Sequence, residues 1–361
     1  MKRITVKIGT RVLTGSDNKI DRKTLKGITD QVAFLMDRGI EVIIVSSGAI
    51  GAGLGLLKLQ KKQKSLSELQ AIASVGQNHL MDMYNEFLGE KGYIAGQILL
   101  TQEDFDNRRR FLNIRYTVNT LLKYKAIPVI NENDSISTEE IKCGDNDRLS
   151  YLVSDLAASD TLIILTDVEG LYDNNGNIVR NVSAVTDDIK SFCKSKKCDV
   201  STGGMATKLE AVKDACRSGI LCVIAEGKKK DIIRDIEAGK DAGTVFLPGK
   251  KTMRARKRWI GYSIKPRGKI TVDAGAAKAV AKDKRSLLPS GILEVEGRFN
   301  DGDVVDIIST GRELIARGMT SYTSEEINKI KGLRSGAIEK ILGYKDYDEV
   351  IHRDNLVIMN G

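Results

Sequence analysis

Short runs of β-branched and aliphatic residues recur along the chain with little polar alternation: 3–8, 41–46, 94–100, 126–130, 161–165 and 220–225 are rich in Ile, Val and Leu. Between several of them the apolar positions take helical spacing, at Leu25–Met36, Ser67–Asn85, Phe111–Tyr124 and Met205–Arg217. Continuous apolar strands interleaved with helices predict an α/β architecture, a mainly parallel open sheet covered on both faces in three αβα layers. Ligands of such sheets collect beyond the carboxyl ends of the strands. After a basic run at 250–258 the texture changes. Lys269–Asp273, Gly291–Val295, Val304–Ile308 and Glu313–Gly318 read as short strands with Gly/Asp turns. The pattern predicts a catalytic domain over 1–258, a linker at 259–266 and a small β-rich domain over 267–361.

Composition narrows the classes. At 361 residues the chain can bury a large core beside a smaller one. Lys2 and Arg3 lead straight into a strand, and no apolar run reaches the eighteen or so residues of a membrane span, so a cytoplasmic protein without a membrane partner is expected. The five cysteines form no CxxC, which fits incidental thiols in a reducing compartment. Two histidines, His79 and His352, make histidine zinc sites and histidine triads poor candidates. The net charge of +9 is uneven: residues 261–361 hold 16 Lys/Arg against 15 Asp/Glu. The excess therefore lies earlier, partly in the 250–258 run, read as a solvated linker or helix face rather than a nucleic-acid patch. A positive field also suits anionic substrates.

The candidate chemistry sits where the strands end. Thr202-Gly203-Gly204-Met205-Ala206-Thr207-Lys208 joins two glycines, a hydroxyl and a lysine to a helical pattern, and helix N-termini favour phosphate. It lacks Walker A spacing, and a lone Gly-Gly is usually a turn. Lys7, however, closes the first apolar strand, with Gly9 two residues on. A lysine there is either solvated at an edge or aimed into a site, because burial needs a matching charge. Two such lysines suggest a clamp on a polyanion, and Asp147 in Gly144–Ser150 would hold both ammonium groups, unless it is only a helix cap. Ser46-Ser47-Gly48 can form an N–H cradle or a tight packing turn. Asn131-Glu132-Asn133-Asp134 can read an amino acid's ammonium and carboxylate, or cap a turn. Thr166-Asp167 follows a buried strand and could face a nucleotide, with Leu171 and Tyr172 filling core.

In this order, Val6–Thr10, Ser47–Ile50, Asn131–Asp134, Gly144–Asp147 and Thr202–Lys208 resemble the amino acid kinase family, in particular its glutamate-phosphorylating branch, over about residues 1–258. The tail, through Ile270–Asp273, Gly275-Ala276 and Ser286–Ile292, resembles a PUA domain, a small β pseudo-barrel. The resemblance implies ATP-dependent phosphorylation of the L-glutamate side-chain carboxylate at the entry to proline synthesis. Lys7, Lys208 and Asp147 would be catalytic. Lys7, Thr166, Asp167 and residues Thr202, Gly203, Gly204, Met205, Ala206, Thr207 and Lys208 would bind ATP. Ser47, Gly48, Asn131, Asp134 and Asn146 would bind glutamate. Mg²⁺ would travel mainly on the nucleotide phosphates, with no dedicated protein metal site. The same resemblance implies a homo-oligomer (dimer or tetramer), proline as feedback inhibitor, and hand-off of the product to glutamate-5-semialdehyde dehydrogenase. Rival expectations are a kinase of the same family acting on aspartate, acetylglutamate, carbamate or a nucleotide, and an RNA-binding protein using the tail. The near-neutral charge of the tail argues against RNA.

Overall fold

The computed structural model describes residues 1–15, 19–59, 64–137, 145–192, 204–249, 260–261 and 264–359. The chain divides into two compact units, Met1–Lys251 and Thr252–Gly361.

The first unit holds strands β1 (Arg3–Ile8), β2 (Glu41–Ser46), β3 (Ala95–Leu100), β4 (Ile127–Glu132), β5 (Thr161–Thr166), β6 (Asn181–Val182), β7 (Leu221–Glu226) and β8 (Thr244–Phe246). They form one sheet in the order β3-β4-β2-β1-β5-β7-β8-β6, parallel except for the β7–β8 pair. Its helices are α1 (Thr10–Leu13), α2 (Arg22–Asp37), α3 (Ala49–Leu56), α4 (Leu66–Gly89), α5 (Gln102–Asp106), α6 (Arg108–Lys123), α7 (Asp145–Leu156), α8 (Asp187–Ser191), α9 (Met205–Arg217) and α10 (Ile232–Glu237). Every apolar run read as a strand is a strand.

Two-residue periodicity sorts the β1 side chains. Ile4, Val6 and Ile8 join Leu25, Ile28 and Val32 of α2 and Leu80, Tyr84 and Phe87 of α4 in one core layer. Thr5 and Lys7 therefore face the other layer, where α7 lies across β1, β2, β4 and β5 and α9 packs beside α7. Thr5 Oγ1 lies 2.8 Å from Ser159 Oγ, just past α7. The chain builds β2, β3 and β4 on one side of β1, then returns to the other side with β5 and β7. That reversal makes the carboxyl ends of β1, β2 and β5 the natural crevice.

The second unit is a five-stranded mixed sheet in the order β10-β9-β11-β12-β13, with β9 at Gly268–Val272, β10 at Ile292–Glu296, β11 at Val304–Ser309, β12 at Leu314–Met319 and β13 at Leu356–Ile358. Its core gathers Ile270, Val272, Val305, Ile307, Tyr322, Ile327 and Ile351. The carbonyls of Gly261 and Ile264, within the expected linker, accept hydrogen bonds from Arg317 at 2.9 and 3.4 Å. The basic run 250–258 lies outside the described residues. No helix of the described residues is long and apolar enough to cross a membrane. Cys216 is half-buried and Cys222 buried, both as free thiols.

Candidate active site

Lys7 leaves β1 on the α7 face and is 5 % exposed, so its charge must be met inside the protein. It is met by Asp147, 1 % exposed in the first turn of α7. Lys7 Nζ stands 2.6 Å from Asp147 Oδ1, and Lys208 Nζ, from α9, stands 3.2 Å from Oδ2. Thr207 Oγ1 donates to the same Oδ2 at 3.0 Å. Burial alone would push the Asp147 carboxyl up. The two ammonium charges and the hydrogen bonds of Lys7 and Thr207 outweigh it and hold the group below its ordinary value. One carboxylate thus stands between two ammonium groups in a water-poor place. Gly9 closes the corner: its N–H donates to Leu165 O at 3.0 Å, and a Cβ there would meet that oxygen at 3.2 Å.

The 202–208 segment is not all loop. Helix α9 begins at Met205, so Met205, Ala206, Thr207 and Lys208 form its first turn, while Thr202 and Gly203 lie outside the described residues. Gly204 caps the helix through its carbonyl, which receives Thr207 N at 3.1 Å. Helical geometry is what turns Lys208 inward while Ala206 and Thr207 stay exposed.

Beside this charged cluster lies a neutral one. Gly48, at φ +102°, makes the turn from β2 into α3 that a side chain would strain. Before it, Ser46 Oγ lies 2.8 Å from the buried Tyr84 hydroxyl. Ser47 Oγ accepts from Asn146 Nδ2 at 3.0 Å. Asn146 Nδ2 also donates to Asn131 Oδ1 at 3.1 Å, and Asn131 Nδ2 donates to Gln77 Oε1 at 2.8 Å. Gln77 reaches β4 because α4 touches α3 backbone to backbone: a Cβ on Gly76 would fall 1.8 Å from Ala49 O, and one on Gly53 2.0 Å from Ile72 O. The glycines after β2 thus serve a helix–helix crossing as well as the turn.

Other expected residues occupy neighbouring strand ends. Thr166 is buried at the end of β5, its carbonyl taking Gly227 N at 2.8 Å and its hydroxyl donating to Asp167 Oδ1 at 3.1 Å. Asp167 pairs with Arg11 at 3.0 Å. Burial raises its carboxyl, but the bonds from Arg11 and Thr166 bring it below the ordinary range. Asp134 is half-buried in the turn after β4, which α4 ties down through Gln70 Nε2 to Ser137 O (3.0 Å) and Ser74 to Ser135 (2.8 Å). Leu171 is core, its N–H held by Thr244 Oγ1 at 2.8 Å.

The structure thus joins Lys7, Asp147, Thr207 and Lys208 in one cluster and Ser47, Asn131 and Asn146 in another. Sequence reasoning passed over Arg11 and Gln77. A signal existed for Gln77: it falls inside the apolar stripe Ile72, Ala73, Gly76, Leu80, Met81, Tyr84, where a polar residue needs a reason. Chemically, the charged cluster suits a buried anion, and the amide cluster suits a polar, directional ligand.

Residues 2–226 match the amino acid kinase family, and residues 268–342 match the PUA domain. A glutamate 5-kinase of Thermoanaerobacter sp. (strain X514) is 46% identical over 99% of this chain and 98% of its own length. A glutamate 5-kinase of Caldanaerobacter subterraneus subsp. tengcongensis is 48% identical with the same coverage. A solved carbamate kinase from Giardia lamblia bound to AMP-PNP superposes at TM-score 0.49 with 17% identity, over 69% of this chain and 99% of that one.

Proposed function

The chain belongs to the amino acid kinase family, and from that premise we propose that it transfers the terminal phosphoryl group of ATP to the side-chain carboxylate of L-glutamate. The product is L-glutamyl 5-phosphate, and the reaction opens proline biosynthesis. The observation that carries this reading is the buried Lys7–Asp147–Lys208 cluster beside a neutral Ser47–Asn146–Asn131 cluster. The near-full-length similarity to proteins named glutamate 5-kinase supports the choice of substrate.

A glutamate carboxylate ionises near pH 4.3, so at neutral pH the nucleophile needs no general base. The obstacle is repulsion between that anion and the phosphates. Lys7 and Lys208 oppose it from β1 and α9, and their charges count most when the phosphoryl group is between donor and acceptor. Asp147 keeps the two ammonium groups from repelling each other and fixes their separation. The α9 first turn, with Thr207 exposed, and the Thr166–Asp167 strand end would hold the nucleotide. Ser47, Gly48, Asn131, Asp134 and Asn146 would hold the amino acid. Mg²⁺ fits best on the nucleotide phosphates, since the Asp147 carboxylate is engaged by two lysines and a hydroxyl; there it would neutralise phosphate charge.

The test is the product. A carboxylate acceptor yields an acyl phosphate, which hydroxylamine captures as a hydroxamate. Hydroxamate formation should require ATP, Mg²⁺ and L-glutamate together, with aspartate and N-acetylglutamate far poorer. Equal turnover of glutamate and N-acetylglutamate would overturn the substrate assignment.

A further inference from the structure

One backbone donor fixes the direction of every amide in the neutral cluster. The Glu132 N–H can only donate, and it does so at 2.9 Å to the side chain of Asn131. The atom facing it must be Asn131 Oδ1. Asn131 Nδ2 then points at Gln77, whose facing atom must be the acceptor Oε1. On the other side, Asn131 Oδ1 requires a donor from Asn146, so Asn146 Nδ2 turns inward to Asn131 and Ser47. What is left over, among the described residues, is Asn146 Oδ1, buried and without a hydrogen-bond partner, and Gln77 Nε2, in the same condition.

Gln77 is 92 % buried on α4, yet only half of its amide is used. A buried donor without an acceptor destabilises the fold, and a Leu or Met in this apolar stripe would remove it only by taking the acceptor from Asn131 Nδ2. Its Oε1 accepts from Asn131, the hub of the relay. We propose that Gln77 is a positioning residue of the amino-acid site: the Glu132 N–H sets which way the Asn131 amide points, and Gln77 anchors its Nδ2 end in place, so that Asn131 holds Asn146 with its carbonyl oxygen presented, an acceptor suited to the ammonium of a free α-amino acid. This rests on the reading of glutamate as substrate. Gln77 does not touch the reacting atoms; it acts through Asn131 on Asn146.

The test is steady-state kinetics on the full-length chain with Gln77→Met, Asn146→Ala and the double variant. Met keeps the length of the side chain and removes the acceptor. KM for glutamate should rise about tenfold in Gln77→Met, the value of one lost relay bond. KM for ATP and kcat should stay near wild type, and the melting temperature should change little, since one buried donor without an acceptor replaces another. In the double variant Gln77→Met should add almost nothing to Asn146→Ala, since a relay through Asn146 has lost its end. Gln77→Glu keeps an acceptor toward Asn131 and should lie closer to wild type than Gln77→Met. An unmoved KM in Gln77→Met with normal glutamate turnover by wild type would overturn the relay alone. Additive effects in the double variant would do the same. Absence of glutamate turnover by the wild-type chain would overturn the substrate reading, and the relay with it.

Discussion

The charged and neutral clusters meet in the first turn of α7, where Asp147 faces two lysines and a threonine while Asn146 faces a serine and another amide. Lys7, Asp147 and Lys208 are buried, as are Ser47, Asn131 and Gln77, yet the two clusters are vulnerable in different ways. In the charged cluster two ammonium groups share one carboxylate, so deleting Asp147 removes the counter-charge that both lysines face. In the neutral cluster no charge is at stake, and what matters is which end of each amide points where. The first arrangement suits a reacting centre, whose charge distribution changes during the reaction. The second suits recognition, whose donors and acceptors must be right before it starts.

The comparison is broken most severely at Lys208. Lys208→Ala should lower kcat by about 10³-fold or more, because the lost charge counts chiefly in the transition state. KM for glutamate should move only a few-fold, and initial-rate kinetics at varied glutamate would show this. Near-normal kcat would mean that the two-lysine arrangement is structural.

A smaller effect is expected where the neutral cluster is built. Gly76→Ala would place a methyl 1.8 Å from Ala49 O and force α4 away from α3. Overpacking of this kind costs about 1–3 kcal/mol, and the melting temperature should fall by several degrees. KM for glutamate should rise with it, because Gln77 rides on the displaced helix. Thermal denaturation and kinetics on the same preparation would test both.

The smallest effect concerns a second pair of carboxylates. Asp147, on α7, is held below its ordinary value, whereas burial pushes Asp214, on α9, up to about 6 despite Arg148 and Arg217. A lowered group stabilises the fold above its unfolded value of about 3.9 and loses that contribution only as pH falls through its folded value. Asp147 should therefore add no acid limb to activity between about pH 5 and 8. A raised group does the reverse: its contribution is complete below about 3.9 and is lost as pH rises through its folded value. Asp214→Asn should accordingly raise the melting temperature at pH 8 by about 2–4 °C and leave it unchanged near pH 4. A constant difference across that range would remove the assignment.

These two clusters were unequally legible in the sequence. The strands were visible because each is a short run of aliphatic residues, and Lys7 stood out as a charge closing one of them. Asp147 and Lys208 followed from electrostatic need and motif order. Helix α9 spans Met205–Arg217, the range that its helical spacing marked. The short β6 and β8 carry too few residues for a pattern. Gln77 stayed hidden for a different reason: its value depends on Gly76 and Gly53 letting two helices touch, and on the Glu132 N–H setting the polarity of a chain of amides. Arg11 likewise acquires meaning only when the end of β5 brings Asp167 beside it.

The division of labour within α7 is tested most directly by measuring kcat and KM for glutamate in Asp147→Asn and Asn146→Ala side by side. For Asp147→Asn the account predicts kcat reduced about 10²–10³-fold with KM for glutamate changed by no more than about threefold. For Asn146→Ala it predicts KM for glutamate raised about tenfold or more with kcat within about threefold. If both substitutions reduced kcat equally and left KM alone, or both raised KM alone, the two neighbours would share one role and the account would be wrong.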